Sequence, residues 1–300
     1  MRSKKVLISG ANGYIALHMA QILRKHNYNV ITATRHACGN LKMDFSNPYE
    51  VASLKSSGID AMIHLVSPNE MLYKTDPYRA LSENAVGIHS ALDFCTENNI
   101  RDFIYISSFH VFGTREGRLI EHTPVSPSND YGLAHCVAEQ TIQMFDSTNR
   151  VNAWIVRPSN LYGVPINLEK FKRWNLIPFS FCREAVERNT ITLLTPGNQL
   201  RNFVGVSDVC KKVLWILEQS PTERIFHAYG NETMSVLEYA LLVQKVALEV
   251  FHLPVKIIRP KGNDHVVNFK FTSLYDNSNL IPSDTLEPFV AEMLKALLVK

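Results

Sequence analysis

The chain has 300 residues, 46% of them hydrophobic and 20% charged, a composition that excludes a disordered or low-complexity protein. Its formal net charge of +3 is small and its basic residues are scattered, which argues against a nucleic-acid-binding face. No stretch reaches the ~20 apolar residues of a membrane-spanning helix, so no membrane partner is expected.

The cysteines form no CxxC pair, and the histidines have no ligand spacing typical of a metal site. We therefore expect neither bound metal nor a disulfide framework. The short apolar run near the N-terminus enters a glycine turn rather than a cleavable signal. These features together favour a reduced, cytoplasmic protein. The five cysteines are Cys38, Cys95, Cys136, Cys182 and Cys210.

Short apolar runs alternate with segments of helical periodicity through the first half of the chain. Such alternation is typical of βαβ units and predicts an α/β fold, with a doubly wound parallel sheet of Rossmann type. The predicted strands are 6–9, 30–34, 61–66, 103–107 and 154–157, and the predicted helices are 15–25, 80–98 and 134–145.

The regular alternation of apolar segments ends after Arg157, where loops rich in proline and asparagine begin. We expect a Rossmann domain over 1–160 and a smaller substrate lobe over 161–300, with segments that return to the core. A helix over 177–187 and a strand over 191–194 are predicted within the lobe. A final amphipathic helix is predicted from the spacing of Leu286, Phe289, Val290, Met293 and Leu297.

The first predicted strand runs into Gly10-Ala-Asn-Gly-Tyr-Ile-Ala16, directly before a predicted helix. Glycines at this spacing permit a tight turn and the close approach of a pyrophosphate, while a small third residue lets helix and strand pack. The amides of the helix N-terminus then face the phosphates. We therefore expect a dinucleotide site at Gly10, Asn12, Gly13, Tyr14 and Ile15.

The second predicted strand ends at Thr34 and is followed by Arg35, where a carboxylate normally holds the ribose hydroxyls of NAD. A guanidinium there can pair with a 2′-phosphate, which favours NADP over NAD. If Arg35 is instead a solvated surface residue, it does not select between the two cofactors, and NAD remains an alternative. Asp44, further along, is a candidate adenine contact, or only a turn former.

Later motifs follow the order found in one family. Ser107 and Ser108 precede Gly113 in a strand-and-loop segment, and Tyr131 and His135 stand where that family has YxxxK. Together with segments at 60–66, 84–87, 156–163, 175–178, 201–209 and 226–238, they resemble the extended short-chain dehydrogenase/reductase family. The likeness is strongest to its NAD-dependent epimerases, dehydratases and ketoreductases of nucleotide sugars, and it covers almost the whole chain.

The resemblance implies catalytic roles for Tyr131 as acid/base, for Ser108 as its positioning group, and for His135 as surrogate for the lysine that holds the nicotinamide ribose. It also implies cofactor contacts at Leu65, Asn84, Ser107 and Pro158. Expected substrate contacts are Ser108, Asn160, Asn175, Arg201 and Asp208, with Arg201 on the diphosphate.

Replacement of lysine by histidine weakens the expected electrostatic support. An ordinary imidazole, with a pKa of ~6.5, is mostly neutral near pH ~7.5 and favours a phenolate less than an ammonium does. Two expectations follow: a working site with His135 in the lysine's role, or a site whose chemistry is reduced or altered.

The two residues after Ser108 bear on the reaction class. The family's 4,6-dehydratases carry an Asp-Glu pair there, whereas this chain has Phe109 and His110. A 4,6-dehydratase is therefore not expected, and the cysteines do not fit a 3,5-epimerase. Two tyrosines, Tyr73 and Tyr78, are predicted to lie in a loop, either as substrate contacts or, as is common for loop tyrosines, simply as exposed residues.

These observations favour an NAD(P)-dependent enzyme that modifies C4 of a nucleotide sugar by epimerisation or keto/alcohol redox, for a surface polysaccharide. The alternative is an NAD(P)- or nucleotide-sugar-binding protein that has lost efficient catalysis. The resemblance also implies a homodimer through the helices that start near Ala80 and Ala134, whose apolar faces could instead be covered by their own domain.

Overall fold

The structure, a computed structural model, describes residues 3–35, 39–113, 116–262 and 268–299. Its strands, in chain order, are β1 Lys5–Ser9, β2 Asn29–Thr34, β3 Leu41–Lys42, β4 Ala61–His64, β5 Asp102–Ile106, β6 Gly117–Leu119, β7 Asn152–Pro158, β8 Asn160–Tyr162, β9 Thr190–Thr192, β10 Leu200–Gly205, β11 Ile225–Ala228, β12 Glu232–Ser235, β13 Lys256–Ile258 and β14 Phe269–Phe271.

The helices, also in chain order, are α1 Tyr14–Lys25, α2 Pro48–Ser53, α3 Glu70–Thr75, α4 Pro77–Glu97, α5 Asp130–Ser147, α6 Ile177–Arg188, α7 Val206–Gln219, α8 Val236–Phe251 and α9 Leu286–Leu298. A single turn of 3-10 helix covers Phe109–Phe112.

The central sheet has seven strands in the order β11-β7-β5-β4-β1-β2-β3. The pairs β1–β2, β1–β4, β2–β3, β4–β5 and β5–β7 are parallel. The order reverses between β1 and β4, and crossover helices connect the parallel strands. The predicted doubly wound α/β fold of Rossmann type is confirmed.

The strands of this sheet are apolar on both faces because helices cover both sides of a parallel sheet. All four residues of β4 are buried, as are the last four of β5. One core cluster joins Leu7, Met62 and Phe103 of the sheet to Leu92 of α4 and Ile142 of α5. Burial of these side chains holds α4 and α5 against the sheet.

The chain divides into two compact units. The first comprises the described residues within 1–114, 121–158 and 210–227, and it holds most of the central sheet. The second comprises those within 115–120, 159–209 and 228–300. It contains the three-stranded sheet β12-β10-β8 and the two-stranded pairs β13–β9 and β14–β6.

Most predicted elements are present, with shifted ends. The helix predicted over 134–145 begins four residues earlier because Asn129 caps it: its Oδ1 accepts from the Gly132 amide at 2.8 Å. The strand predicted over 61–66 ends at His64. Helix α7 has no predicted counterpart. Four of the five apolar residues that predicted the final helix are buried in α9: Leu286, Phe289, Val290 and Met293.

Four cysteines lie within the described residues, where each is buried and outside any disulfide: Cys95, Cys136, Cys182 and Cys210. Burial raises the pKa of the Cys136 thiol to about 11. Cys38 lies outside the described residues. Within the described ranges, no helix combines the length and apolarity needed to cross a membrane.

Candidate active site

The glycine turn joins β1 to α1 in a conformation that favours glycine. Gly10 has φ +66°, and a Cβ there would lie 3.2 Å from the Leu65 carbonyl oxygen. Gly13, exposed at the N-cap of α1, offers no side chain to cap the helix. Since the first turn of α1 contains no acidic residue, its positive end can face an anion.

The remaining turn residues agree with this geometry. Asn12 is exposed, Tyr14 and Ile15 are half-buried, and Ala16 is buried where the helix meets the sheet. A Cβ at Gly13 would lie 3.0 Å from the Gly10 carbonyl oxygen, so the turn is tight at both glycines. The residues present therefore fit a dinucleotide pyrophosphate, which Gly10, Asn12, Gly13, Tyr14 and Ile15 would hold.

Leu65, at the carboxyl end of β4, borders the same turn. Its amide donates to Ser9 Oγ at 3.0 Å, and Ser9 Oγ is also 3.1 Å from His64 Nδ1. These bonds tie the ends of β1 and β4 together. They hold in place the strand ends against which a cofactor would lie.

Two further predicted cofactor residues follow β2. Arg35 is exposed directly after the strand, with its guanidinium accessible to a ligand. Asp44 is half-buried, and its Oδ1 accepts from the Ser46 amide at 3.1 Å and from Ser46 Oγ at 2.7 Å. Asp44 therefore stabilises the local turn through Oδ1, one of the two roles predicted for it.

Helix α5 starts where the 3-10 turn approaches it most closely. A Cβ on Gly132 would lie 2.4 Å from the His110 carbonyl oxygen, so only glycine allows this approach. The contact brings the rings of His110 and Tyr131 edge to face, with centroids 5.5 Å apart. The N-cap at Asn129 and the small residue at 132 thus place Tyr131 beside the 3-10 turn.

Tyr131 opens onto a cavity of about 270 Å³ within the first unit. Histidine, lysine, tyrosine and carboxylate groups, each capable of binding or moving a proton, face this space together. The lining residues are Glu70, Tyr73, Lys74, His110, Asn129, Asp130 and Tyr131.

Tyr73 was predicted above to lie in a loop, and that prediction was wrong. It lies in α3, is only 5% exposed, and packs edge to face against Tyr131 with centroids 5.7 Å apart. Asn69 caps α3 by accepting from the Leu72 amide at 2.9 Å. Burial raises the pKa of Tyr73 to about 12, so it stays a neutral phenol. Tyr78, by contrast, is 86% exposed as predicted, although it lies in the first turn of α4 and not in a loop.

Ser108 is buried at the N-cap of the 3-10 turn, where its Oγ accepts from the His110 amide at 3.3 Å. The neighbouring Ser107 hydroxyl donates to Glu139 Oε1 at 2.6 Å. Glu139 also accepts from Arg157 Nε at 2.9 Å and from its Nη2 at 2.6 Å. This bidentate pair locks the ends of β5 and β7 to α5.

His135 lies one helical turn after Tyr131 and is 2% exposed. Its ring packs edge to face against Tyr131 with centroids 4.6 Å apart. Its Nδ1 lies 2.7 Å from the Oη of Tyr105, which is buried in β5. The position at which the resembled family has the lysine of YxxxK is thus occupied by an imidazole. Its hydrogen bond to a second tyrosine, Tyr105, holds it inside the fold.

Sequence reasoning missed Tyr105. A tyrosine in an otherwise apolar strand needs a hydrogen-bond partner, which is a usable signal. Its partner lies 30 residues away on α5, so only the tertiary structure identifies it.

Asn84 and Pro158 complete the predicted cofactor residues, and both are buried. Asn84 Nδ2 donates to the Ala134 carbonyl at 2.9 Å, and its Oδ1 accepts from Ser67 Oγ at 3.2 Å. Asn84 therefore bridges α4 and α5. Pro158 ends β7 immediately after Arg157.

Four predicted substrate residues belong to the second unit. Asn160 donates to the Asn202 carbonyl at 2.8 Å, and Asn175 is exposed. Arg201 is buried and donates to the Leu200 carbonyl at 2.8 Å. The fourth residue, Asp208, accepts from the amides of Ser283 and Asp284 at 3.0 Å each.

Metal ligands of the kind found in zinc enzymes do not gather in the part of the chain that the structure describes. Within those ranges, no group of three or more His, Cys, Asp or Glu side chains is placed to hold an ion.

The chain is similar to proteins that are named as enzymes of nucleotide sugars. The model of the NAD-dependent epimerase/dehydratase family matches residues 6–229. An uncharacterised UDP-glucose epimerase, YtcB of Bacillus subtilis, is 23% identical over 81% of this chain and 82% of its own. The dTDP-D-glucose 4,6-dehydratase of Bos taurus is 26% identical over 79% of this chain and 71% of its own.

Among solved structures, RMD from Pseudomonas aeruginosa, complexed with NADPH, superposes with a TM-score of 0.79. The match covers 99% of this chain and 100% of that one at 18% identity, a level at which it shows the shared fold.

Proposed function

Because the chain belongs to the NAD-dependent epimerase/dehydratase family, we propose that it is an NAD(P)-dependent enzyme that modifies C4 of a nucleotide-linked sugar by epimerisation or keto/alcohol redox. The observation that carries the proposal is the pairing of a glycine turn suited to a dinucleotide with Tyr131 at the edge of a cavity in the same unit.

A bound nicotinamide would supply hydride exchange at the sugar carbon. Tyr131 would take the proton of the C4 hydroxyl during oxidation and return it during reduction. Ser108, at the start of the adjacent 3-10 turn, would hold the same sugar oxygen by a hydrogen bond. His135 would contact the nicotinamide ribose, and Arg35 favours NADP as the cofactor.

Phe109 and His110 support this reaction class over 4,6-dehydration. A phenyl and an imidazole stand at these positions, so neither supplies the carboxyl groups that the family's 4,6-dehydratases use. The proposed substrate contacts in the second unit remain Asn160, Asn175, Arg201 and Asp208, with Arg201 on the diphosphate.

The proposed function is tested with UDP-glucose as probe substrate and NAD⁺ or NADP⁺ as added cofactor. The products are separated by anion-exchange chromatography and identified by NMR. Tyr131→Phe should lose roughly 10²–10⁴-fold in turnover, since it removes the acid/base group, while it still binds cofactor. Tyr78→Phe, which changes an exposed phenol, should keep wild-type turnover. Undiminished turnover in Tyr131→Phe would refute the proposal.

A second candidate function rests on the burial of His135 against Tyr105. A buried imidazole supports a Tyr131 phenolate less than a lysine ammonium at the same position would, which favours an NAD(P)- or nucleotide-sugar-binding protein with weakened catalysis. His135→Lys separates the two. A large gain in rate would indicate degeneration, whereas a loss would show that the histidine is adapted to its own reaction.

A further inference from the structure

Tyr105 and His135 form a hydrogen bond that is sealed from solvent. Tyr105 Oη and His135 Nδ1 are 2.7 Å apart, and the two residues are 1% and 2% exposed. Tyr105 belongs to β5 and His135 to α5, so the bond joins the sheet to the helix that carries Tyr131. Water cannot replace either partner.

The direction of this bond follows from the phenol. Across the described ranges, His135 Nδ1 is the single hydrogen-bond partner of Tyr105 Oη. If the imidazole donated instead, the buried phenol hydrogen would lack an acceptor, at a cost of about 1–3 kcal/mol. Burial raises the pKa of Tyr105 well above its ordinary value, so the phenol keeps its proton. Tyr105 therefore donates and Nδ1 accepts.

An accepting Nδ1 determines where the imidazole carries its hydrogen. A neutral imidazole that accepts at one nitrogen is protonated at the other, here Nε2. An imidazolium would carry hydrogens on both nitrogens. Its Nδ1–H would then face the phenol O–H, and two donors cannot form a hydrogen bond with each other. The bond thus selects one tautomer and also disfavours the charged ring.

The ionisable groups around the pair are Tyr131, Cys136 and Glu139 on α5, Tyr73 on α3 and His64 on β4. Glu139, one turn further along α5, is already paired with Arg157 and accepts from Ser107. On the other side of Tyr105, the ring of His64 stacks at a centroid distance of 6.3 Å. Burial lowers the pKa of His64 to about 3, so that ring adds no positive charge.

We infer that Tyr105 is a positioning residue that holds His135 as a neutral imidazole with its hydrogen on Nε2. The inference deepens the proposed function and rests on it for one step, the delivery of the Nε2–H to the cofactor. The lysine of the family combines a positive charge with a hydrogen-bond donor. In this role His135 keeps a donor, whose tautomer Tyr105 sets, and gives up the charge.

The tautomer is tested directly by long-range ¹H–¹⁵N correlation spectra of protein labelled at histidine. The His135 signals are identified by their loss in His135→Gln. At neutral pH the wild type should show a protonated Nε2 and an unprotonated Nδ1. A protonated Nδ1, alone or in an imidazolium, would overturn the inference, and this measurement requires no destabilised variant.

Two phenol variants separate positioning from packing. Tyr105→Phe removes the donor and should redistribute His135 between tautomers or shift it toward the charged form. Tyr73→Phe removes another buried phenol beside Tyr131 and should leave the His135 spectrum unchanged. An unchanged tautomer in Tyr105→Phe would contradict the assigned role.

The consequence for the cofactor is tested by NADPH binding, followed by nucleotide fluorescence. Glutamine at 135 can place an amide N–H near the Nε2 position, whereas asparagine places one near Nδ1. His135→Gln should bind NADPH better than His135→Asn by about 2–10-fold, the worth of one hydrogen bond. Equal loss in both variants would refute the donor role. Because the spectra report the tautomer without turnover, failure of this inference is distinguishable from failure of the proposed function.

Discussion

Replacement of Glu139 by glutamine should destabilise the protein strongly. The side chains of Glu139 and Arg157 are 2% and 3% exposed, and their closest N···O distance is 2.6 Å. Glu139 accepts three side-chain bonds, two from Arg157 and one from Ser107. The amide of glutamine would leave a buried guanidinium without its counter-charge and would turn an N–H toward a donor. Breaking a buried pair on one side costs about 3–5 kcal/mol.

The loss is measured by urea unfolding followed by circular dichroism and by thermal melting. For a chain of this size, about 2 °C of Tm per kcal/mol gives an expected fall of roughly 6–10 °C. The matched control is Lys55→Ala, which breaks the surface pair with Glu97 at 3.2 Å, where the side chains are 70% and 47% exposed. That pair contributes about 0–1 kcal/mol.

A double variant tests whether the loss of stability comes from the unpaired charge of Arg157. In Glu139→Gln/Arg157→Met the unpaired guanidinium is removed, and stability should recover relative to Glu139→Gln alone. A loss below about 1 kcal/mol in Glu139→Gln, comparable to the surface control, would refute the claim that this pair locks β5, β7 and α5 together.

Two further changes have defined outcomes. Burial lowers the pKa of His64 to about 3, so between about pH 6.5 and 3 the unfolded chain binds a proton that the folded chain does not, and stability falls as the pH falls. His64→Phe should flatten that slope by up to about 1.4 kcal/mol per pH unit in urea unfolding from pH 7 to pH 4, and an unaltered slope would exclude the buried neutral imidazole. Arg35→Ala should weaken NADPH binding by about 1.5–3 kcal/mol, the worth of a charged hydrogen bond, with little effect on NADH. Equal changes for both nucleotides, measured by fluorescence titration, would remove the basis for NADP.

Local patterns in the sequence determined the fold class and the cofactor turn. The period of the apolar residues predicts the alternation of strands and helices, and a strand followed by glycines at positions 10 and 13 predicts the turn between β1 and α1. These signals are short-range: they depend on residues that neighbour one another in the chain. The order of the motifs from the glycine turn through Ser108 and Tyr131 to the segments at 201–209 and 226–238 is likewise a property of the linear sequence, and it indicates the resemblance to the family.

Only the tertiary structure decided what surrounds those residues. Tyr73, predicted to lie in a loop, is buried against Tyr131 because α3 packs on α5. The partners of His135 and Glu139, namely Tyr105 and Arg157, come from separate strands of the sheet. Contacts between distant segments leave no periodic trace in the sequence, since they depend on which helix covers which strand. The hydrogen bond between Tyr105 and His135, on which the proposed protonation state of the imidazole depends, is one such contact.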